Sequence, residues 1–135
     1  MRHARTCVLV ATFLAAATVP ALAEDKQINI YNWSDLIGGN TVADFTSSTG
    51  IKVQYDTYDS DEVLTAKLLT GASGYDIVVP TATSLPYQVK AGALLELDRS
   101  KIPNWKNLDP DLMSKAAKYD PGNEHALIYL WGTTG

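Results

Sequence analysis

Ile28-Asn29-Ile30-Tyr31-Asn32-Trp33-Ser34-Asp35 decides the reading of this chain. Ile28 and Ile30 alternate with neighbours in the period-2 pattern of a strand, and the strand runs out on an indole, a hydroxyl and a carboxylate. In an open parallel sheet, ligands bind in the crevice beyond the carboxyl ends of the strands, so residues that end a first strand sit where a ligand is met. The flat π face of Trp33 and the negative charge of Asp35 attract the same sign of partner. An organic ammonium is therefore the expected ligand class. Trp33 reads as a ligand wall ahead of a core residue, whereas Asp35 taken alone reads as a turn or helix cap.

Outward from this strand the pattern alternates. After the Gly38-Gly39-Asn40 turn, Val42 and Phe45 share one helical face and Gly50 is placed to cap the end. Ile51, Val53 and Tyr55 alternate as a second strand. Asp59 or Ser60 is placed to cap the next helix, whose face carries Val63, Leu64 and Leu68, with Glu62 as a capping-box partner for Asp59. Asp76-Ile77-Val78-Val79-Pro80 is a compact apolar run, expected to be a strand buried on both faces. A polar loop, Thr81-Ala82-Thr83-Ser84, precedes a short helix expected from Leu85 to Ala91. Strand and helix in strict alternation imply right-handed crossovers and a parallel sheet, an α/β fold. The loop after the third strand then leaves from the same edge as Trp33 to Asp35, so two strand ends are expected to line one crevice.

Beyond Gly92 the spacing changes. Leu94, Leu95 and Leu97 precede a loop with Pro103 and Trp105, and Asp109-Pro110 reads as an N-cap followed by proline in the first turn of a helix through Lys118. Asp120-Pro121-Gly122-Asn123 reads as a turn, and Ala126 to Trp131 as a further strand.

The start of the chain is a secretion signal by pattern: basic Arg2 and Arg5, an apolar stretch from Cys7 to Val19, and the small-x-small site Ala21-Leu22-Ala23. Residues 1–23 are expected to be removed, leaving a soluble, exported product that begins at Glu24. The apolar stretch is short of the roughly 20 residues that span a membrane. The lone cysteine, Cys7, leaves with the signal, so the mature chain relies on an ordinary hydrophobic core, which suits the periplasm better than a stapled extracellular scaffold. Removal of Arg2 and Arg5 leaves 9 of the 11 basic residues against 15 acidic ones, a formal charge of −6. Nucleic acid and anionic membrane are poor partners for such a chain.

Five ordered blocks carry a family resemblance: Asn32-Trp33-Ser34-Asp35, Thr49 to Val53, Asp76 to Pro80, Trp105 to Pro110 and Tyr129 to Gly135. Together they make the chain similar to periplasmic polyamine-binding proteins, the putrescine and spermidine receptors of bacterial ABC import systems. The resemblance implies a lobe of the type II periplasmic-binding-protein kind, half of a two-lobe fold that closes on its ligand and delivers it to an inner-membrane ABC permease. It implies no cofactor and a monomeric receptor. Residues 24–135 then correspond to the first part of the N-terminal lobe, ending near the crossover to the second lobe, and the chain is expected to be a fragment. Within the resemblance, Trp33 matches an aromatic wall against the methylene chain, and Ser34 and Asp35 match polar groups that receive an amine. Thr81 and Thr83 match hydroxyl residues that line the pocket after the third strand. Leu36 and Ser84 depart from the family, which often has aromatic residues there.

Other chemistry is thinly represented. No nucleophile elbow, phosphate loop or ordered serine, histidine and carboxylate set is present, so an enzyme is not expected. Asp56, Asp59, Asp61 and Glu62 lack the glycine and distal glutamate of a calcium loop and read as caps and a solvated face. His125 is the only histidine of the mature chain, which also has no cysteine for a zinc site, and it reads as a surface or turn residue; Trp105 and Trp131 read as core or lobe-edge packing. An amine sensor for a membrane regulator, or an inactive truncated fragment, are the alternative roles.

Overall fold

Three parallel strands form the sheet, with β1 (Gln27–Trp33) at its centre, β2 (Lys52–Tyr58) on one side and β3 (Ile77–Val78) on the other. The computed structural model describes residues 26–71 and 73–132, so the expected signal, residues 1–23, lies outside the described residues. β1 and β2 pair along their whole length, from Gln27 with Lys52 to Trp33 with Tyr58, and β3 pairs through Ile30 with Ile77 and Tyr31 with Val78. The order β2-β1-β3 means that the chain steps outward once and then crosses back over β1. With right-handed crossovers, these opposite steps place the connecting helices on opposite faces and create a switch point between β1 and β3.

Helix α1 (Thr41–Thr49) ends at Gly50, whose φ of 72° is left-handed and whose N–H reaches the Thr46 carbonyl. Glycine adopts that conformation without a Cβ clash, which is why the helix stops there. α1 is loosely seated, since Phe45 is exposed. Helix α2 (Asp61–Leu69) is capped by Ser60, whose side chain accepts from the Val63 N–H, so Asp59 is free of the capping role. Glu62 pairs with this cap: its own N–H and the Ser60 hydroxyl hold its carboxyl below the usual range. Leu64 and Leu68 are buried, but Val63 is 51 % exposed, so the apolar face of α2 is narrower than its sequence predicts.

The core gathers Tyr58, Leu64 and Leu68 with the partly buried Tyr31, Trp33, Val78, Ala93 and Leu94. It lies on the face that alternate residues Tyr31 and Trp33 of β1 share with Tyr58 of β2. Aromatic stacking fills it: Tyr31 lies parallel to Tyr75 at 4.4 Å between centroids, and Tyr58 tilts against both Tyr31 and Trp33 at 4.8 Å. The expected third strand is shorter and less covered than its composition suggests. Ile77 is 45 % exposed, since alternation turns it to the sheet face opposite Val78, Tyr31 and Trp33, which pack on the core cluster.

After α3 (Leu85–Lys90), two 3-10 turns, Arg99–Lys101 and Pro103–Asn107, lead to α4 (Pro110–Ala116). Asp109 caps α4 as expected, its Oδ1 accepting from the N–H groups of Asp111 and Leu112 at 2.9 and 3.0 Å. Trp105 is half-buried beneath Arg99, whose guanidinium lies 4.1 Å from the ring centroid. Ala126 to Trp131 does not form the expected strand. A strand needs a neighbour to complete its ladder, and none of the described strands pairs with this segment. Trp131 is exposed, with Lys115 5.1 Å from its ring. His125 is more enclosed than a surface residue: its ring Nδ1 lies 3.0 Å from the buried Asp120, which also accepts from the N–H groups of His125 and Ala126. Burial pushes the Asp120 carboxyl up, but these hydrogen bonds outweigh it and hold the group below its ordinary value.

Candidate functional site

The carboxyl ends of all three strands meet at one backbone atom. The Val79 carbonyl, one residue past β3, accepts from the Trp33 indole Nε1 at 3.0 Å and from the Tyr58 hydroxyl in a short hydrogen bond. A carbonyl oxygen has two lone pairs, and both are used here. Asn32 sets the end of β1 itself: buried, it donates to the Tyr55 hydroxyl and accepts from the Trp33 N–H, each at 2.8 Å. The indole is thus fixed at its edge by Val79, at its backbone by Asn32 and on one face by the Tyr58 ring.

Around this anchor lies an open cleft of about 290 Å³, lined by Trp33, Ser34, Asp35, Leu36, Tyr58 and Asp59. The structure brings Trp33, Ser34 and Asp35 together, and Trp33 both packs on the core cluster and lines the cleft. Core residue and cleft wall are therefore not alternatives for this side chain. The Ser34 hydroxyl donates to Asp59 at 3.1 Å, joining the end of β1 to the end of β2. Burial, and then the nearby Asp61 charge, push the Tyr58 phenol far above its usual value, so it stays protonated and remains a donor to Val79.

Thr81 and Thr83 leave from the same sheet edge but do not line this cleft. Asp61, in the first turn of α2, accepts from the Thr81 N–H at 3.1 Å and from its hydroxyl in a short hydrogen bond, and the Thr81 and Thr83 hydroxyls lie 3.0 Å apart. The loop after β3 is thereby fastened to the start of α2. Another hollow of about 190 Å³ lies beside the C-terminal end of α2, where Leu68, Leu69, Gly71, Ser73 and Ala91 to Ala93 line it. It offers no ionisable or aromatic side chain and no chemistry for a charged ligand.

Sequence reasoning passed over Tyr58 and Asp59 as cleft residues. The signal was available, because the strand-end rule that singled out Trp33 to Asp35 applies equally to the end of β2. The sequence around Asp59 suggests a cap or part of a solvated face; Ser60 takes the cap and leaves the Asp59 carboxylate to the cleft. At the cleft rim, the Tyr129 hydroxyl donates to the Leu36 carbonyl, tying the segment after α4 to the turn that follows β1.

An open parallel sheet with an aromatic and acidic cleft at its strand ends defines an α/β ligand-binding lobe. The chain belongs to the bacterial extracellular solute-binding proteins, the family whose profile matches residues 40–135. It is 52 % identical over 134 residues to the putrescine-binding periplasmic protein SpuD of Pseudomonas aeruginosa, covering 99 % of this chain and 36 % of that protein. It is 54 % identical over 128 residues to the putrescine-binding periplasmic protein PotF of Escherichia coli, covering 94 % and 35 %. Among solved structures, the spermidine/putrescine ABC transporter substrate-binding protein PotD of Streptococcus pneumoniae matches with a TM-score of 0.75 at 36 % identity, over 79 % of this chain and 32 % of that one. The chain thus spans about a third of the length of the curated relatives it matches. By name, the first two are putrescine-binding and periplasmic, and the third is the substrate-binding protein of an ABC transporter. Among the described residues, no helix is long and apolar enough to cross a membrane.

Proposed function

We propose that this chain is the first part of the N-terminal lobe of an exported, monomeric receptor that captures polyamines of the putrescine and spermidine class in the periplasm. Residues 1–23 direct export, residues 24–135 supply one wall of the ligand site, and the loaded receptor passes its ligand to an inner-membrane ABC permease. The observation that carries this reading is the cleft in which Trp33 and Tyr58 stand beside Asp35 and Asp59, in a chain more than half identical to two putrescine-binding proteins.

The chemistry of the cleft matches that ligand class. A polyamine at neutral pH is a chain of ammonium groups separated by apolar methylenes, so its site needs carboxylates at the charges and flat walls between them. Trp33 supplies the wall and Asp35 the charge, with Ser34 as a further oxygen acceptor. An ammonium over an indole gains about 0.5 kcal/mol when exposed and about 2 kcal/mol when desolvated, too little to retain a ligand without carboxylates. Closure of a second lobe would expel water and strengthen these contacts, and it would require buried charges to be matched one for one. Thr81 and Thr83 contribute through the loop that Asp61 holds.

Uptake of labelled putrescine by the source cells tests the transport reading. Deleting the gene should abolish high-affinity uptake, and supplying it again should restore it; uptake unaffected by deletion would overturn the assignment.

A further inference from the structure

We propose that Asp59 is a second carboxylate of the amine site and that Ser34, Asp35 and Asp59 together receive one primary ammonium group. The inference deepens the polyamine reading and rests on it. Three observations bear on it. Asp59 lines the same cleft as Trp33 and Asp35 although it follows a different strand, one residue past the end of β2. It is relieved of capping α2, because Ser60 accepts the Val63 N–H in its place. Its Oδ1 accepts the Ser34 hydroxyl at 3.1 Å, and Oδ2 makes no hydrogen bond among the described residues.

The donor and acceptor inventory then matches. A primary ammonium has three N–H donors and no acceptor, whereas a hydroxyl has one donor and two lone pairs. Ser34 spends its only hydrogen on Asp59, so its oxygen faces a ligand purely as an acceptor. Asp35, Ser34 and Asp59 thus offer three acceptor groups in the cleft that Trp33 also lines, enough for a group with three donors. The indole cannot compete for the role of donor, since its N–H is bonded to Val79. Two carboxylates against one cation also leave the cleft negative when occupied at a single ammonium, which favours a ligand whose second charge lies within reach. A tertiary ammonium, with one N–H, satisfies only one acceptor and should be rejected.

The test is titration calorimetry on the full-length gene product with putrescine and with N,N,N′,N′-tetramethylputrescine, comparing wild type, Asp59→Asn and Ser34→Ala, each checked for native circular dichroism. Wild type should prefer putrescine strongly. Asp59→Asn should weaken putrescine binding about tenfold and narrow the preference over the tetramethylated ligand, because the lost acceptor served a donor that only the primary amine has. Ser34→Ala should narrow it in the same way. Unchanged putrescine affinity in Asp59→Asn would overturn the role of Asp59 while leaving the amine reading intact. Weaker binding with an unchanged preference would also overturn it, since Asp59 would then act only through its field. Failure of the wild type to bind either amine would instead remove the polyamine reading on which the inference rests.

Discussion

Tyr58→Phe and Trp33→Phe should interact through a carbonyl that neither residue owns. Val79 accepts from both the Tyr58 hydroxyl and the Trp33 indole, so removing either donor leaves the carbonyl with the other. Tyr58→Phe keeps the ring, its packing on Tyr31 and Trp33, and one partner for Val79. Its cost is therefore the net value of a single hydrogen bond, about 1 kcal/mol. Trp33→Phe loses the second hydrogen bond and part of the indole's volume, and should cost more. The double variant differs in kind, because it strips the half-buried Val79 carbonyl of both donors. An orphaned acceptor costs its full desolvation, about 1–3 kcal/mol, and partial burial places this one near the lower end. The double variant should thus be destabilised by about 1 kcal/mol beyond the sum of the single changes. Native-state hydrogen exchange at the Asp76 and Val79 amides, which bond to Asn29 and Tyr31, reads this locally in the full-length gene product. Additivity within about 0.5 kcal/mol would refute the idea that one shared acceptor joins the three strand ends.

The remaining predictions concern the core, pH and the ligand. Leu64→Ala, at a fully buried position between α2 and the sheet, should cost about 3 kcal/mol in thermal or denaturant unfolding, and a loss below about 1 kcal/mol would mean that α2 is not packed as described. Asp120 has its folded-state value held below the ordinary carboxylate value of about 3.9, so it contributes stability above that pH, which is lost as pH falls through the lower folded value. Asp120→Asn should lower stability near neutrality and flatten its decline on acidification below about pH 4; an unchanged acid limb would contradict the Asp120 account. Leu36→Tyr adds a ring to the cleft where the side chain is 37 % exposed, and in calorimetry should tighten putrescine binding about three-fold, the size of an exposed cation–π contact.

What could be read from sequence followed the range of the interactions responsible. The caps at Gly50 and Asp109 and the strand ending on Trp33 are local, set by one residue's dihedral preference, one side-chain oxygen or a few alternating positions, and the fold has them where the sequence indicates. The parallel α/β topology followed from the alternation of elements alone. The exposure of Ile77 and the unpaired stretch from Ala126 to Trp131 depend on what lies next to a segment, and composition does not encode that. Val63 could be placed on the apolar face of α2 by spacing, but how wide that face is depends on the sheet beneath it. At the site, Trp33, Ser34 and Asp35 were visible because they are contiguous. Tyr58 and Asp59 lie 25 residues further along, joined to them by the β1–β2 register and the Ser34 hydrogen bond. The shared Val79 carbonyl could not be read from sequence, since backbone atoms leave no trace in residue identity.

The most direct test of the account is calorimetric titration of the full-length gene product with putrescine, cadaverine, spermidine, spermine and agmatine, beside an Asp35→Ala variant. Binding should be tight, depend on the spacing of the amines and weaken by at least tenfold in Asp35→Ala, since removing one partner of a desolvated charge pair costs more than about 1.4 kcal/mol, roughly a factor of ten. Absence of binding to every amine in the series would contradict it.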